Sequence, residues 1–368
     1  MRWNWQQPDW PNFTYDAQRL RSREDQFLRG AGVLIGVLSH LDTGDRQDLS
    51  IELLAQEAVD SSAIEGEVLD RASVQSSVAK HLGIKTDNRR ANAAEAGAAA
   101  LMANLFRGYR EPLSDVLLFN WHSLLMNGRR DIADIGQYRS HADPMQIVSG
   151  ALHAPKVHFE APASEAVPAE MKAFIAWFNH SRPDGSSPTS ALARAGVAHL
   201  WFESIHPFED GNGRLGRAIA EKVLAQGLDA PAVTALAETI QRHRKDYYSQ
   251  LQRASLSNHI DEWLDWFSGI ALEAQQRTLD RVNFLLSKAK LLDRLRGQIN
   301  ARQEKALIRM FTEGPDGFKG GLSAANYRTI TDAAPATATR DLAELVELKA
   351  LRRQGELKHT RYYLNVGR

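Results

Sequence analysis

Apolar residues recur at three- and four-residue spacings along most of this chain, and this helical period is the strongest constraint on its fold. From about Ser50 the pattern runs without Gly or Pro until Gly66. Further helical stretches are Arg90–Gly108, Leu113–Met126, Val167–His180 and Ala191–Ser204. Helical texture resumes near Arg214 and continues to about Lys290. The sequence therefore predicts a mainly α fold.

The least helical part of the chain is Ile135–Pro162. Two short strand-like pieces, Gln146–Val148 and Lys156–Phe159, flank a turn that contains Gly and Pro. This pattern predicts a small β-hairpin between helices.

Length and composition are those of a globular protein with two or three domains. The 368 residues are 43% apolar and 24% charged, which excludes disorder over most of the chain. Lys plus Arg and Asp plus Glu number 45 each, and the net charge of zero disfavours a globally basic nucleic-acid binder. The absence of cysteine excludes disulfides, thiolate nucleophiles and cysteine-ligated zinc or iron–sulfur sites.

Residues 1–30 are polar and aromatic, with Trp3, Trp5 and Trp10 close together. We expect a tail that aromatic side chains anchor onto the body of the protein. This segment lacks the apolar core of a signal peptide. The longest apolar run, Ala31–Leu38, is far shorter than the roughly 20 residues that cross a bilayer. We therefore expect a soluble, cytoplasmic protein with no membrane contact.

Residues 291–368 differ from the rest of the chain in charge and in the order of their elements. Fourteen basic and nine acidic residues give this segment a net charge of +5. Predicted helices Gln303–Phe311, Ser323–Thr331 and Ala336–Lys349 precede a strand–turn–strand around Gly355. This order is typical of a winged helix-turn-helix domain, whose third helix is the recognition helix. Its expected partner is DNA or another protein.

The segment HPFEDGNGRLGR, from His206 to Arg217, concentrates chemically distinct residues in one turn between helices. Its glycines allow a tight turn whose N–H groups, with the start of the next helix, suit phosphate. Arg214 and Arg217 share a helix face and can fork onto phosphate oxygens. Asp210 offers a carboxylate for Mg²⁺, and His206 is the one residue here that titrates near neutral pH. The combination predicts transfer of a phosphorus-centred group from a nucleotide.

This segment resembles the Fic family motif, HPFx(D/E)GNGRxxR, and matches it at every defining position. Gly136–Arg139 (GQYR) resembles the family's GxYR element, and Gln146–Pro162 resembles the hairpin, or flap, that follows it. The resemblance implies a Fic-type helical core with a small β-hairpin flap. The predicted domains are an N-terminal helical region 1–112, the Fic catalytic domain 113–270, a helical connector 271–290 and the winged helix 291–368.

The resemblance implies AMPylation, which is the transfer of AMP from ATP to a Ser, Thr or Tyr hydroxyl of a target protein or of the enzyme itself. His206 would deprotonate the hydroxyl, and Asp210 would hold Mg²⁺ or Mn²⁺. Asn212 and the Gly211 and Gly213 amides would hold the α-phosphate oxygens.

Further roles follow from the same resemblance. Arg214 would contact the β-phosphate and Arg217 the γ-phosphate. Tyr247 and Tyr248 resemble an aromatic pair that lines the nucleotide pocket in relatives, although a core pair on a helix face would look the same. The target protein would dock at the flap, about residues 146–162. Fic proteins of this type often dimerise, so a homodimer is also an expectation.

A second pattern, Ser61–Gly66 (SSAIEG), fits (S/T)xxxE(G/N), with Ser61, Glu65 and Gly66 at the defining positions. Beside the Fic motif it resembles the family's inhibitory helix, carried N-terminal to the catalytic core (class II). Ser61 and Glu65 share a helix face, and Gly66 has no side chain to hold a neighbouring helix away. Glu65 would then pair with Arg217 and remove it from the γ-phosphate, so Glu65 belongs to both the ATP-binding and the inhibitory residues.

Three functions stay open at this point. The first is an autoinhibited protein adenylyltransferase. The second is a Fic enzyme, de-AMPylating or bifunctional, whose main reaction removes AMP with Glu65 activating water. The third is a transcription regulator whose tail binds DNA and whose Fic core is a sensor. A Doc-like kinase is disfavoured because such relatives carry Lys at the position of Gly213, whereas a donor other than ATP is compatible with the motif.

Overall fold

The computed structural model divides the chain into two compact units. It describes residues 2–39, 41, 43–85, 89–149, 156–231, 234–312, 318 and 320–366. Unit 1 consists of Met1–Gly36 and Arg46–Arg277, and unit 2 consists of Val37–Asp45 and Thr278–Arg368. Among the helices within the described residues, none is both long enough and apolar enough to cross a bilayer.

Most helices begin in unit 1, and a short 3-10 helix, Asn4–Gln6, precedes them. The first five are α1 (Ala17–Ser39), α2 (Thr43–Ile64), α3 (Arg71–His81), α4 (Ala93–Arg107) and α5 (Asp115–Leu125). Two strands follow, β1 (Gln146–Ser149) and β2 (Lys156–Glu160). Six more helices are α6 (Val167–His180), α7 (Ala191–Ile205), α8 (Asn212–Leu228), α9 (Leu236–Arg242), α10 (Arg244–Ala254) and α11 (Asp261–Leu295). The predicted mainly α fold with a small hairpin is confirmed.

The expectation of an N-terminal tail is wrong from Ala17 onward, because this part of the chain forms α1. One face of α1 is buried at helical spacing and consists of Leu20, Glu24, Phe27, Ala31 and Leu34. The carboxylate of Glu24 accepts the N–H groups of Leu192 and Ala193 in the first turn of α7. Three arginines between these positions, Arg21, Arg23 and Arg29, lower the hydropathy of the stretch and obscure the stripe in the sequence.

Aromatic side chains hold the residues before α1 against the rest of unit 1. Trp3 is 9% exposed and packs edge-on against Phe159 of β2, with ring centroids 5.4 Å apart. Trp10 makes a similar edge-on contact with Trp201 of α7, at 6.1 Å. These contacts provide the aromatic anchoring that the sequence predicts for this segment.

The core of unit 1 is centred on α7 and α8, whose residues are almost all buried. Glycines permit the close approach of neighbouring elements. A Cβ atom on Gly196 would lie 2.5 Å from a methyl group of Leu264, and one on Gly216 would lie 2.5 Å from Oε1 of Glu203. This packing fixes the turn between α7 and α8, where the Fic-like motif lies.

The strands β1 and β2 pair antiparallel, with Gln146 opposite Glu160 and a register irregularity between Ile147 and Val148. Phe159 points inward and is 6% exposed, whereas Ile147 and Val148 are 43% and 50% exposed. The hairpin therefore presents an apolar outer edge. Residues 150–155 of the predicted flap lie outside the described residues.

Among the described residues, three α-helices and a second antiparallel hairpin lie wholly within unit 2. These elements are α12 (Ala301–Thr312), α13 (Ala324–Thr331), α14 (Pro335–Glu347), β3 (Leu351–Gln354) and β4 (Arg361–Leu364). Leu322 forms a β-bridge with Tyr362, and Tyr327 donates a hydrogen bond from its hydroxyl to Asp341 of α14 (3.0 Å). The order of elements is the one expected from the sequence, and their assignment as a winged helix stays a prediction.

The packing of α4 against α5 gives a test of the fold. A Cβ atom on Gly97 would overlap the backbone carbonyl oxygen of Leu124. We expect Gly97→Ala to lower the free energy of unfolding by about 1–3 kcal/mol, because the overlap outweighs the better helix propensity of Ala. Thermal unfolding of the purified variant measures this effect.

Gly269 in α11 is the matched control, because a Cβ there would meet no described atom within 4 Å outside the local helix backbone. Gly269→Ala should leave the melting temperature unchanged or raise it, since Ala gains up to about 1 kcal/mol in a helix. Equal melting temperatures of the two variants would show that α4 and α5 do not pack this closely.

Candidate active site

The turn between α7 and α8 is held by its own side chains. After Ile205, His206 adopts a left-handed conformation with φ 51° and ψ 60°. The Asn212 side chain accepts a hydrogen bond from the N–H of Phe208 (2.9 Å) and donates one to its carbonyl oxygen (2.8 Å). Phe208 is fully buried and stacks on the ring of His122, with centroids 4.2 Å apart. The core thus determines the shape of the turn.

Arg139, the last residue of the GQYR element, ties this turn to the end of the flap region. It is 2% exposed, and its Nε donates to the carbonyl oxygen of His206 (2.9 Å). Its Nη2 donates to the carbonyl oxygen of Pro162 (2.5 Å), and its backbone N–H donates to that of Pro207 (3.0 Å). Burial lowers the pKa of Arg139 to about 10. The element therefore has a positioning role.

His206 faces a cavity of 790 Å³ that the turn, the hairpin and α10 enclose. Burial, and then the positive charge of Arg139, lower the pKa of His206 to about 4. The imidazole is therefore neutral at pH 7 and able to accept a proton, but the expectation that it titrates near neutral pH is wrong, because the site is buried. Its Nδ1 lies 3.8 Å from Oε2 of Glu203, whose own pKa burial raises to about 8.

Arg217 lies on α8 and is engaged by residues of the SSAIEG pattern. Its Nη2 lies 2.7 Å from Oε1 of Glu65 and donates to the carbonyl oxygen of Ser61 (2.8 Å), while its Nε donates to Oγ of Ser61 (3.0 Å). The Arg217 side chain is 2% exposed and that of Glu65 32%. Burial alone would raise the pKa of Glu65, but the ion pair with Arg217 holds it below its usual value.

Two glycines lie beside this ion pair, and only Gly213 makes room for it. A Cβ atom on Gly66 would meet no described atom within 4 Å, so the expectation that Gly66 lets a neighbouring helix approach is wrong and its role is in the backbone. Gly66 has φ +88°, a conformation that turns the chain directly after α2. A Cβ atom on Gly213 would overlap Oε1 of Glu65, so a side chain at this position would move the carboxylate away from the start of α8. Tyr248 adds a longer hydrogen bond from its hydroxyl to Oε2 of Glu65 (3.3 Å).

Asp210 lies at the edge of the cavity, with its side chain 42% exposed. Its Oδ1 accepts the N–H of Gly211 (2.5 Å), and its Oδ2 lies 2.9 Å from Nη1 of Arg129. Arg129 also forms a two-point ion pair with Asp131. The carboxylate that the sequence assigns to the metal thus has a cationic partner in the protein.

Arg214 is engaged by a residue that the sequence analysis does not single out. Its Nη1 lies 2.8 Å from Oε2 of Glu67, two residues beyond Glu65, and its Nη2 lies 3.6 Å from Oδ1 of Asp210. The Arg214 side chain is 8% exposed and that of Glu67 34%. Both motif arginines therefore contact carboxylates of the same short segment.

The described residues contain no group of three or more His, Asp or Glu side chains that could hold a metal ion. A single carboxylate beside a phosphate site is nevertheless a donor set that Mg²⁺ uses, because substrate phosphates and water supply the other ligands. The exposed Asp210, which borders the cavity, fits this role once Arg129 releases its Oδ2.

The structure places both tyrosines of α10 along the cavity. Tyr247 is 1% exposed, and its hydroxyl lies 2.9 Å from Nε2 of His199, so its polar end faces the core. Tyr248 is 41% exposed and is the more accessible of the two. Tyr247 is thus both a core residue and part of the cavity wall, whereas Tyr248 lies at the cavity surface.

The structure thus brings together the residues from His206 to Arg217 with Ser61, Glu65, Tyr247 and Tyr248. Sequence reasoning misses three charged neighbours: Glu67, Arg129 and Glu203. The sequence could have indicated Glu67, because it directly follows Gly66 of the SSAIEG pattern. It indicates Glu203 more weakly, through its position one helical turn before His206. For Arg129 the sequence offers no signal, because its partner Asp210 is 81 residues away.

Two family models match the chain. The Fic/DOC family matches residues 112–224, and a domain described as "Domain of unknown function (DUF4172)" matches residues 3–84. The first match contains the turn from His206 to Arg217, and the second contains Glu65 and Glu67. Glu65 and Glu67 therefore lie in one matched region, and their partners Arg217 and Arg214 lie in the other.

Curated relatives share only part of their length with this chain. "Protein adenylyltransferase Fic" of Nematostella vectensis is 29% identical over 143 residues, which are 38% of this chain and 30% of that protein. "Protein adenylyltransferase fic-1" of Caenorhabditis elegans is 30% identical over 122 residues, which are 32% and 22%. The chain thus spans less than a third of the length of these relatives.

Solved structures resemble this chain in fold over a larger part of its length. A Fic family protein from Desulfovibrio desulfuricans has a TM-score of 0.54 at 20% identity, over 96% of this chain and 98% of that chain. A Fic domain containing signaling protein from Bacteroides thetaiotaomicron has a TM-score of 0.53 at 17% identity, over 73% and 98%. At these identities the likeness concerns the fold.

The ion pair of Glu65 and Arg217 predicts a pH-dependent stability. Since the folded-state pKa of Glu65 is lowered, its contribution is present above the unfolded pKa of about 4.3 and is lost as the pH falls through the folded pKa. We expect Glu65→Gln to lower the free energy of unfolding by about 1–3 kcal/mol above pH 5, and by progressively less below pH 4. Denaturant unfolding across this pH range measures the difference.

Glu52→Gln on α2 is the control, because it removes the same charge where the carboxylate pairs only loosely with Arg71 (3.4 Å). Its effect should stay within about 0.5 kcal/mol at every pH. A Glu65→Gln effect that does not change with pH would mean that the ion pair does not stabilise the protein.

Proposed function

We propose that this chain, whose residues 112–224 match the Fic/DOC family, transfers AMP from ATP to Ser, Thr or Tyr hydroxyls of protein targets. The observation that carries this proposal is the position of His206. Its neutral imidazole opens an anion-binding turn on a cavity of 790 Å³, which is within the usual range for ligand sites.

In the proposed reaction His206 accepts the proton of the target hydroxyl at Nε2, the ring nitrogen that Glu203 does not face. The hydroxyl oxygen bonds to the α-phosphorus of ATP. The bond from that phosphorus to the oxygen bridging to the β-phosphate breaks, and pyrophosphate leaves with the bonding electrons. The low pKa of His206 then favours return of the proton to pyrophosphate or solvent.

The start of α8 would hold the phosphates. The backbone N–H groups of Asn212 and Gly213 lie in the first turn of that helix, whose dipole favours an anion. The Asn212 side chain has another task, because both its polar atoms are bonded to the backbone of Phe208. Arg214 and Arg217 would bind the β- and γ-phosphates once their carboxylate partners release them.

Asp210 would hold a divalent cation, Mg²⁺ or Mn²⁺. Such an ion would neutralise the negative charge on the phosphate oxygens as pyrophosphate departs. The exposed position of Asp210 at the cavity edge supports this assignment.

Glu65 would restrain the reaction. Its carboxylate lies 2.7 Å from Nη2 of Arg217 and adjacent to Gly213, where it competes with the γ-phosphate for the same guanidinium. ATP that cannot reach Arg217 would bind with its α-phosphorus out of line for attack.

Removal of AMP from a modified target is the second candidate. Glu65 also borders the cavity, so its carboxylate could position a water molecule whose oxygen bonds to the phosphorus of AMP. The bond from that phosphorus to the target oxygen would break, and the target would leave as a hydroxyl with a proton from the water. Incubating a pre-AMPylated target with the protein in the absence of ATP separates this reaction from AMP addition.

Unit 2 supports a further proposal, which is binding of duplex DNA. Thr339 and Arg340 on α14 and Arg352 and Arg353 on β3 are exposed. Exposed arginines suit phosphate contacts, whose strength falls steeply with salt.

The first activity prediction concerns Glu65→Gly, which removes the competing carboxylate. We expect self-labelling with radiolabelled ATP and Mg²⁺ to rise at least ~10-fold, because a charge-assisted contact to Arg217 becomes available to the γ-phosphate. Val68→Gly is the control, since Val68 is 92% exposed in the same loop and the change adds backbone freedom without removing a charge. Equal labelling by all three proteins would refute restraint by Glu65.

The second activity prediction uses the Glu65→Gly variant as its starting protein. Adding His206→Ala should slow labelling by roughly 10²–10⁴-fold, the usual loss of a general base, while ATP affinity changes little. His180→Ala, at the exposed end of α6, should label at the background rate. Full labelling by the His206 variant would exclude the proposed base.

The third prediction concerns unit 2. A 20-base-pair duplex should bind the full chain at low salt and dissociate as salt rises, and Arg340→Gln should weaken binding more than Lys305→Gln on α12, an equal charge change. Fluorescence anisotropy of the labelled duplex measures both effects. If the duplex does not bind at low salt, a protein partner for unit 2 is the better explanation.

A further inference from the structure

Arg214 is buried against one carboxylate in particular. Its side chain is 8% exposed, and the contact from its Nη1 to Oε2 of Glu67 (2.8 Å) is much closer than that from its Nη2 to Oδ1 of Asp210 (3.6 Å). Its Nε is buried with no hydrogen-bond partner among the described residues. Glu67 is therefore the principal counter-ion of this guanidinium.

The end of α2 explains how one short segment reaches both arginines. The N–H groups of Glu65 and Glu67 both donate to the carbonyl oxygen of Ser62, at 3.1 and 3.0 Å. Gly66 lies between them with φ +88°, so the chain reverses within one residue. Both acidic side chains then face α8, on which Arg214 and Arg217 are one helical turn apart.

The contact differs in kind from an ordinary surface ion pair. Exposed pairs contribute little because water screens them and both side chains lose freedom. Here the guanidinium is already desolvated, and the carboxylate presents the charge and geometry that a phosphate oxygen would present. Glu67 and an incoming phosphate therefore compete for the same N–H donors.

We propose that Glu67 is a second carboxylate that a nucleotide has to displace, and that it makes the site select nucleotides by their number of phosphates. The inference rests on the proposed function for the orientation of the nucleotide. A β-phosphate reaches Arg214 only by displacing Glu67, and a γ-phosphate reaches Arg217 only by displacing Glu65. AMP competes with neither carboxylate, ADP competes with Glu67, and ATP competes with Glu67 and also with Glu65, which in the parent protein keeps the γ-phosphate off Arg217.

Calorimetric titration of the full chain with AMP, ADP and ATP, each in Mg²⁺ buffer, tests the proposal. Glu67→Gln should tighten ADP and ATP about 3- to 10-fold and leave AMP unchanged. Glu65→Gln should tighten ATP by more than ADP. Glu52→Gln, which removes one negative charge elsewhere on α2, should leave all three affinities unchanged.

Two results would overturn the proposal. Glu67→Gln could bind all three nucleotides as the parent does, or it could tighten AMP as much as ADP, which would reveal a general effect of charge. Glu67→Asp, one methylene shorter, provides the second variant should the first not fold, and its ADP and ATP affinities should rise in the same way.

The outcome is separable from that of the proposed function. Selective tightening of ADP and ATP without AMP transfer in any variant would support Glu67 as the competitor and refute the transferase. AMP transfer together with unchanged nucleotide selectivity would refute the role of Glu67 alone.

Discussion

The ion pair between Glu65 and Arg217 is the interaction on which the arrangement of the site depends. Arg217 is 2% exposed in the core helix α8, so its charge needs a partner at all times. Glu65 supplies that partner, and in the proposed reaction a phosphate of the nucleotide would replace it. The same guanidinium therefore stabilises the fold without ligand and would bind ligand when Glu65 leaves, which links stability to regulation.

The remaining charges of the site follow the same rule, because each group expected to bind the nucleotide or its metal has a protein counter-ion. The three pairs are Glu65–Arg217, Glu67–Arg214 and Arg129–Asp210. Productive binding of a nucleotide with its cation would exchange all three for contacts with phosphate and metal. Such an exchange costs little in net desolvation of Arg214 and Arg217, since these buried charges change partners and do not lose them. The arrangement therefore favours a site that is held closed yet can open.

The sequence predicts the parts of the site that lie close together in the chain. The turn from His206 to Arg217, the pattern around Glu65 and the hairpin are all local, and local spacing determines their shape. The pairing of Arg129 with Asp210 and the packing of α1 onto α7 depend on distant segments. They become visible only when the core has brought these segments together. Helix α1 was not predicted for a further reason. Its arginines lower the hydropathy of the segment, so the face that packs against neighbouring helices is not apparent from the sequence.

A crystal structure of the parent protein with ATP and Mg²⁺, beside one of Glu65→Gly, would show whether Glu65 keeps the γ-phosphate away from Arg217. In the parent we expect the Glu65 carboxylate to stay on Arg217 and the γ-phosphate to lie elsewhere. In Glu65→Gly the γ-phosphate should contact Arg217, with the α-phosphorus facing His206. A parent structure with the γ-phosphate on Arg217 and Glu65 displaced would contradict the account.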